Sequence, residues 1–491
     1  MGNLCSNPEP IAQLSPISSF PNRSLSKTIV KRQINPKSIY RNLKMLGKGS
    51  YSSVYLVENK KTGSKRAIKE IRKSALKKNA EEIIYNEMII LSQLDHPNIA
   101  KIFEIIDTPS FFYIISEYLE GGELFQRLTE VDHIDENLAC KYMFDIVAAI
   151  NYCHSKGIAH KDLKPENLMF DILGRNAALK IIDFGTSAKL TDTLIFTNHI
   201  GVPRTMRVYY ASPEQFIGHV NEKSDIWSLG VIMYMMLCNF YIAGKPPFYA
   251  KTFEETADKI LNQDVEFKGE VWNNVSNSAQ NLIEKLLRKD PESRPSANCI
   301  LTDSWFNSFT HIKIPKSQSS LQALKNFSGF QSESKIAKLL FRYISCQHKD
   351  IADNSELTRL FKALDKNTDG KLSPQEILDG LGELGFNINI QEIMKNVDID
   401  KNGFVDYSEF LVATQNWKKL LAHREIYEIL KSETSENTFN VEDFKSTLPM
   451  LDNNEITEFF SEIDTDRDGK ITMEELKKHF LSTLVQTNIS Y

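Results

Sequence analysis

Residues 160–167 read "HKDLKPEN" and residues 181–185 read "IIDFG". Together they set a carboxylate (Asp162), an ammonium (Lys164), a carboxamide (Asn167) and a second carboxylate (Asp183) close along the chain. Carboxylate and amide oxygens suit a hard divalent cation, and an ammonium suits an anion. The chain around these groups has 491 residues, too many for one ordinary core and enough for roughly three domain-sized units. It is 41% hydrophobic and 25% charged with a formal net charge of −5, a balance that argues against nucleic acid as a main partner. Six scattered cysteines (5, 140, 153, 238, 299 and 346) without a C-x-x-C pair fit a reducing, cytoplasmic compartment. The longest apolar run, "VIMYMMLC" from Val231, is far short of a membrane span, and no secretory signal is expected.

Residues 1–39 are rich in Ser, Pro and Asn without periodicity, and are expected to be disordered. The chain opens "MGNLCS", matching an acylation pattern with Gly2 exposed after Met removal, Ser6 in place and Cys5 open to a second acyl chain. One acyl chain holds membrane weakly, so a second signal is needed. Cys5 and a basic stretch (Arg23, Lys27, Lys31, Arg32, Lys37, Arg41, Lys44) supply it, each base adding on the order of 1 kcal/mol at an anionic surface. Peripheral association with the cytoplasmic face of a membrane is the expectation.

From residue 40 to 306, short β-rich runs such as "SSVYLV" and "FFYIIS" precede longer helical stretches. "LGKGSYSSVY" carries Leu46, Gly47, Gly49 and Val54, a strand–turn–strand whose backbone can lie over phosphates. "RAIKE" carries Lys69, and "IIYNEMIILSQL" carries Glu87 in a helical pattern. "ASPE" brings Glu214, "SDIWSLG" Asp225 and "SRPSA" Arg294. In this order and spacing the motifs resemble those of the serine/threonine protein kinases.

That resemblance implies an α+β bilobal protein kinase fold using ATP and Mg²⁺. Asp162 would accept or orient the substrate hydroxyl's proton, Lys164 would stabilise the transferring phosphoryl group, and Asn167 and Asp183 would hold Mg²⁺. Lys69 would hold the α- and β-phosphates, oriented by Glu87, and Glu214 would pair with Arg294. Asp225 would brace the catalytic loop. Ser116 and Glu117 would border the adenine pocket. Glu123 and Glu166 would bind substrate arginines or, equally, be solvated or contact the ribose.

Three departures from the family pattern stand out. Ser52 replaces a third loop glycine, and Met206 and Arg207 stand where Gly-Thr is usual, with Thr205 nearby. Lys161 replaces the arginine that in many kinases grips a phosphate on the activation loop, leaving Thr191, Thr193 and Thr197 without that partner. Control is therefore expected from elsewhere.

Residues 351–485 repeat a helix, an acidic twelve-residue loop and a helix four times. The first loop, "DKNTDGKLSPQE", offers Asp365, Asn367, Asp369, Ser373 and Glu376 around Gly370, with the Lys371 carbonyl. The second, "DIDKNGFVDYSE", offers Asp398, Asp400, Asn402, Asp406 and Glu409 around Gly403, with the Phe404 carbonyl. The fourth, "DTDRDGKITMEE", offers Asp464, Asp466, Asp468, Thr472 and Glu475 around Gly469, with the Lys470 carbonyl. Each provides the oxygens Ca²⁺ requires and matches the EF-hand pattern. The third, "SETSENTFNVED" (432–443), has lost its first Asp, its turn Gly and its closing Glu, and is expected not to bind calcium while keeping its helices.

Residues 307–350 form a connector whose stretch "LQALKNFSGFQSESKIAKLLFRYI" reads as a basic amphipathic helix, like a calmodulin target. Its apolar residues are Leu321, Leu324, Phe330, Ile336, Leu339, Leu340, Tyr343 and Ile344, and its bases Lys325, Lys335, Lys338 and Arg342. A kinase, a basic connector and four EF-hands resemble the calcium-dependent protein kinases of plants and protists. The resemblance implies a kinase fold followed by an all-α EF-hand domain, protein Ser/Thr substrates near basic residues, and a connector that blocks the substrate cleft until calcium-loaded EF-hands capture it. Two alternatives remain: a calcium-binding scaffold with an inactive kinase fold, and a kinase whose EF-hands only localise it.

Overall fold

The structure, a computed structural model, describes residues 29–32, 35–49, 52–75, 88, 94–129, 134–174, 177–184, 188–189, 206–238, 245–308, 314–332, 334–347, 355–422, 426, 429, 438–441 and 453–484. Six strands form the first layer: β1 (Ile29–Arg32), β2 (Tyr40–Lys48), β3 (Ser52–Asn59), β4 (Lys65–Arg72), β5 (Ile102–Asp107) and β6 (Phe111–Glu117). Their order is β1-β5-β6-β4-β3-β2, antiparallel except where β1 runs parallel to β5. Alternation sorts the side chains. Val57, Ile68, Ile106 and Ile115 join Tyr40 and Phe103 in a small core on one face. Ile71, Ile105, Phe112 and Ile114 enter the larger core on the other.

The expectation of a structureless tail through residue 39 fails at its end. Ile29–Arg32 pairs with β5 from Ile29 opposite Glu104, and Pro36–Ile39 makes one helical turn capped by the Asn35 side chain. Two β-branched residues suffice to extend an open sheet edge, a signal too short to stand out from the composition around it.

Below the sheet lies a helical lobe. α1 (Glu136–Ser155) starts where the Asp135 carboxylate accepts the Leu138 amide at 2.7 Å. α2 (Glu222–Leu237) is buried on every side and forms the centre of this lobe. α3 (Asn277–Leu286) crosses it so closely that a Cβ at Gly230 would lie 2.8 Å from the Leu287 side chain. Two small antiparallel two-stranded sheets follow α1. β7 (Ile158–Ala159) pairs with β10 (Ala188–Lys189), and β8 (Leu168–Phe170) with β9 (Leu179–Ile181).

The connector forms two helices, α4 (Gln318–Ser328) and α5 (Lys335–Gln347), with α4 ending at Gly329. Hand one is α6 (Ser355–Leu364) and α7 (Pro374–Gly382), and hand two is α8 (Ile390–Val397) and α9 (Tyr407–Ala413). The fourth hand is α10 (Asn453–Ile463) and α11 (Met473–Thr483). β11 (Lys371–Leu372) pairs with β12 (Val405–Asp406), joining hands one and two. β13 (Thr438–Phe439) pairs with β14 (Ile471–Thr472), setting Phe439 of the third repeat opposite Ile471 of the fourth.

One core runs through connector and hands alike. Leu324, Phe327, Leu340, Phe341 and Ile344 share it with Phe361, Phe410, Trp417 and Phe480. Phe341 stacks on Trp417 at 4.2 Å, and Phe327 lies 5.4 Å from Phe410.

This second core docks on the kinase lobes. Lys362 of α6 donates to Asp145 of α1 at 2.6 Å, and Arg342 of α5 lies 3.6 Å from Asp95. The Asn151 amide donates to the Thr368 carbonyl at 3.2 Å.

Candidate active site and calcium loops

The groups of "HKDLKPEN" hang from the turn between β7 and β8. Asp225, the fourth residue of α2, accepts the backbone amides of His160 at 2.9 Å and Lys161 at 2.7 Å, and meets the His154 ring at 2.9 Å. Burial works against its charge, but these hydrogen bonds hold its carboxyl below the usual range. Lys161 itself takes a left-handed backbone with φ of 66°, so the turn is fixed through its amide.

Beyond the turn, Lys164 is ion-paired with Asp162, and the Asn167 amide nitrogen donates to the Asp162 carbonyl at 2.8 Å. Lys69, in register between Val54 on β3 and Ile114 on β6, reaches Asp183 at 2.6 Å. Asp183 is also left-handed, with φ of 56°. The structure thus brings Lys69, Asp162, Lys164, Asn167 and Asp183 to one cleft between sheet and helical lobe. Asn167 has an amide oxygen and Asp183 a carboxylate, oxygen types of the kind Mg²⁺ takes.

Around the cleft, Leu46 and Gly47 lie on β2, and Gly49 donates its amide to the Ser52 carbonyl at 2.7 Å. Ser116 and Glu117 end β6, with Ser116 opposite Ala67. The Glu123 carboxyl is raised by burial and then by neighbouring Glu166, so two acids stand together at the rim. Glu214 and Arg294 form a buried bidentate pair at 2.7 and 2.8 Å. Glu87, Gly2, Cys5, Thr191, Thr193, Thr197 and Thr205 lie outside the described residues, as do the side chains of Met206 and Arg207.

The three complete loops repeat one geometry. Position four is left-handed in each (Thr368, Lys401 and Arg467, φ of 53°, 57° and 60°), as is the glycine at position six (φ of 80°, 85° and 81°). The opening aspartate caps the turn each time. Asp365 accepts Gly370, Asp398 accepts Gly403 and Asp464 accepts Gly469, at 2.9, 2.9 and 3.0 Å. The closing glutamate reaches back across the loop. Glu376 accepts the Lys366 and Ser373 amides, Glu409 those of Ile399 and Asp406, and Glu475 those of Thr465 and Thr472. Each closing Glu is also the N3 partner in a capping box that starts its second helix.

The donor set fits a hard cation. One carboxylate oxygen from each of Asp398, Asp400 and Glu409 lies within 4.8 Å of the others, and the same holds for Asp464, Asp466 and Asp468. Burial and neighbouring acids raise Asp365 well above the usual carboxyl range, and burial lifts Glu409 to about 8. Asn367, Asp369 and the Lys371, Phe404 and Lys470 carbonyl positions lie within the same loops. In the third repeat, residues 432–437 lie outside the described residues.

Reasoning from sequence missed the groups that join the two cores: Asp95, His96, Asp145, Asn151 and Lys180 on one side, Tyr407 and Lys362 on the other. Nothing local marks them, because each pairs with a residue far away along the chain.

Comparison with known proteins agrees with this division. Residues 40–306 match the protein kinase domain model, residues 354–415 an EF-hand domain pair and residues 456–481 an EF hand. Calcium-dependent protein kinase 5 of Plasmodium falciparum is 31% identical over 97% of this chain and 84% of its own length. Calcium-dependent protein kinase 4 of Plasmodium berghei is 30% identical over 92% of this chain and 91% of its own. Calcium-dependent protein kinase 7 of Arabidopsis thaliana is 31% identical over 88% and 80%. A serine/threonine protein kinase domain followed by EF-hands, the chain belongs to the calcium-dependent protein kinase family.

Proposed function

We propose that the chain transfers the γ-phosphate of ATP to protein Ser/Thr hydroxyls under calcium control. The observation that carries this reading is the connector's apolar face: it lies in one core with the EF-hands, away from the cleft that holds Asp162 and Asp183. A connector with two possible seats, one at the cleft and one among the hands, is a switch. Capture by calcium-loaded hands frees the cleft. No phosphate-gripping arginine at position 161 is then required.

Within the cleft, Asp162 orients the substrate hydroxyl and accepts its proton, while Lys164 steadies the transferring group. Lys69 releases Asp183 to hold the α- and β-phosphates. Asn167 and Asp183 hold Mg²⁺, which when bound neutralises charge on the phosphates. Leu46, Gly47, Gly49 and Val54 cover the nucleotide from above, and Ser116 and Glu117 border its base. Glu123 and Glu166 favour substrates with nearby arginine or lysine. The first, second and fourth loops bind Ca²⁺ and the third does not. Residues 1–39 form an acylated basic tail through Gly2 and Cys5, residues 307–350 the inhibitory junction, and residues 351–485 the calcium-sensing unit. Among the described residues no helix is long and apolar enough to cross a membrane, so membrane contact would be peripheral.

The test is phosphate transfer from Mg-ATP to an arginine-containing serine peptide, with calcium buffered from nanomolar to hundreds of micromolar. A steep rise that disappears in the double variant Glu376→Gln/Glu409→Gln supports the switch. Constant activity removes the switch, and no transfer at any calcium level leaves a calcium-binding scaffold.

A further inference from the structure

Behind the nucleotide cleft, the second EF-hand reaches the strand that leads into the adenine site. Glu117 follows Ser116 at the end of β6, and its carboxylate accepts Lys180 at 2.8 Å. The two side chains are only 9% and 11% exposed. Lys180 lies on β9, three residues before Asp183, so this pair ties the hinge beside the base to the strand that leads to the metal-binding acid. Glu117 also accepts the Lys101 backbone amide at 3.2 Å, fixing the hinge to the start of β5.

Part of the wall that keeps water from this pair comes from the other core. Glu117, Lys180, Asp95 and His96 share a cavity of about 20 Å³ with Tyr407 and Leu411 of α9. Room of that size admits about one water. Tyr407 is 7% exposed and is fixed by a 2.8 Å hydrogen bond between its hydroxyl and Thr358. Beside it the Ser408 amide donates to Asp95 at 3.2 Å. Tyr407 stands between two acids of the second calcium loop, Asp406 and Glu409. A movement of that loop is therefore a movement of the cavity wall.

The attraction between the two charges of an ion pair, once formed, strengthens several-fold when water leaves its surroundings and weakens when water returns. With α9 seated, Glu117 and Lys180 hold hinge and β9 in one register. With α9 withdrawn, the pair is hydrated and the hinge is freer. We propose that Glu117, Lys180 and Tyr407 are positioning residues through which the docked second EF-hand sets the nucleotide hinge, so that calcium tightens nucleotide binding as well as freeing the substrate cleft. The inference rests on the calcium switch proposed above and adds to it a second target, the nucleotide site. Reciprocity then requires that nucleotide raise the calcium affinity of the second hand by the same factor.

The experiment uses the full chain and titrates Mg-AMP-PNP by calorimetry in EGTA and in saturating calcium, with KM for ATP and kcat measured beside it. The expected result is binding about five- to tenfold tighter with calcium, the lower range of coupling between linked sites. Lys180→Met and Tyr407→Ala should each remove most of that gain and raise KM for ATP, with kcat at saturating ATP held within about twofold. Tyr407→Phe, which keeps the ring against the cavity, should keep the gain. Should Tyr407→Ala fail to bind calcium, Lys180→Met decides, because it leaves the EF-hands intact. Equal nucleotide affinity with and without calcium overturns the inference, as does a Lys180→Met variant that retains the full gain. Peptide phosphorylation in the same preparations separates the two readings. Calcium-stimulated transfer with calcium-indifferent nucleotide binding sinks only the hinge coupling, whereas calcium-indifferent transfer sinks the switch itself.

Discussion

At the scale of single residues, the cleft is held by a few buried charges whose partners are specific. Arg294 and Glu214 are 0% and 6% exposed at their side chains, and the guanidinium also donates to the carbonyls of Arg288, Lys289 and Lys223. Burial opposes ionisation of Glu214, yet the Arg294 hydrogen bonds keep its carboxyl below the usual range. Removing one partner strands the other charge away from water, at about 3–5 kcal/mol. Glu214→Gln should lower the kinase lobe's melting temperature by several degrees, read by scanning calorimetry; an unchanged transition would refute a structural role for the pair. Lys161 leads to the opposite expectation. Asp225 grips its amide, and the turn is set by backbone geometry, so Lys161→Arg should leave calcium-stimulated peptide phosphorylation within about twofold. A large gain in calcium-free activity would show that the side chain itself takes part in control. The sequence disclosed these residue types and their order, because chemistry demands them at fixed spacing. It could not disclose that Lys69 rests on Asp183, a contact that depends on how sheet and helical lobe meet.

At the scale of elements, the geometry of the three complete loops was legible almost residue by residue, since the opening Asp, the turn Gly and the closing Glu of each lie within one twelve-residue stretch. The connector was less so. One basic helix was expected where two form, because a run of apolar spacing continues through Gly329 and Phe330 while the backbone does not. The loops also differ in ways their sequences hide. Gly370 and Gly403 occupy the same loop position with φ of 80° and 85°. Around Gly403 a Cβ meets nothing within 4 Å, whereas at Gly370 it would lie 2.6 Å from both His96 and Tyr152 of the kinase lobe. Both substitutions to Ala carry the left-handed strain, about 1 kcal/mol. Only Gly370→Ala should also push the two cores apart. The expected outcome is a modest calcium-affinity loss in both variants, with a larger loss of hydrogen-exchange protection over residues 94–100 in Gly370→Ala alone. Equal protection in the two would mean that the first loop does not rest on the kinase in solution.

At the scale of the whole molecule, one core is seated on the other, and nothing along the chain announces it, because contacts between residues hundreds of positions apart leave no local pattern. His96 lies at that seat. Its ring stands 5.2 Å from Tyr152, and its Nδ1 accepts the Asn98 amide at 3.0 Å, which requires an unprotonated nitrogen there. Burial lowers its pKa from 6.5 to about 3, with Lys362 and Lys180 adding to the shift and Asp95 opposing it. The sign follows from linkage. A base whose pKa is depressed in the docked state binds more protons undocked, so its contribution is complete above pH 6.5 and declines as pH falls toward 3. Where His96 regains its ordinary pKa on separation, docking weakens by up to tenfold per pH unit below 6.5. Hydrogen exchange over residues 94–100, corrected for intrinsic rates and measured in saturating calcium, should show markedly less protection at pH 5.5 than at pH 7.5. Acid also competes with calcium at the loop carboxylates, so the same loss in His96→Asn would assign the effect to the loops and not to the histidine. A loss confined to the native chain would make His96 the group that ties the docked arrangement to neutral pH.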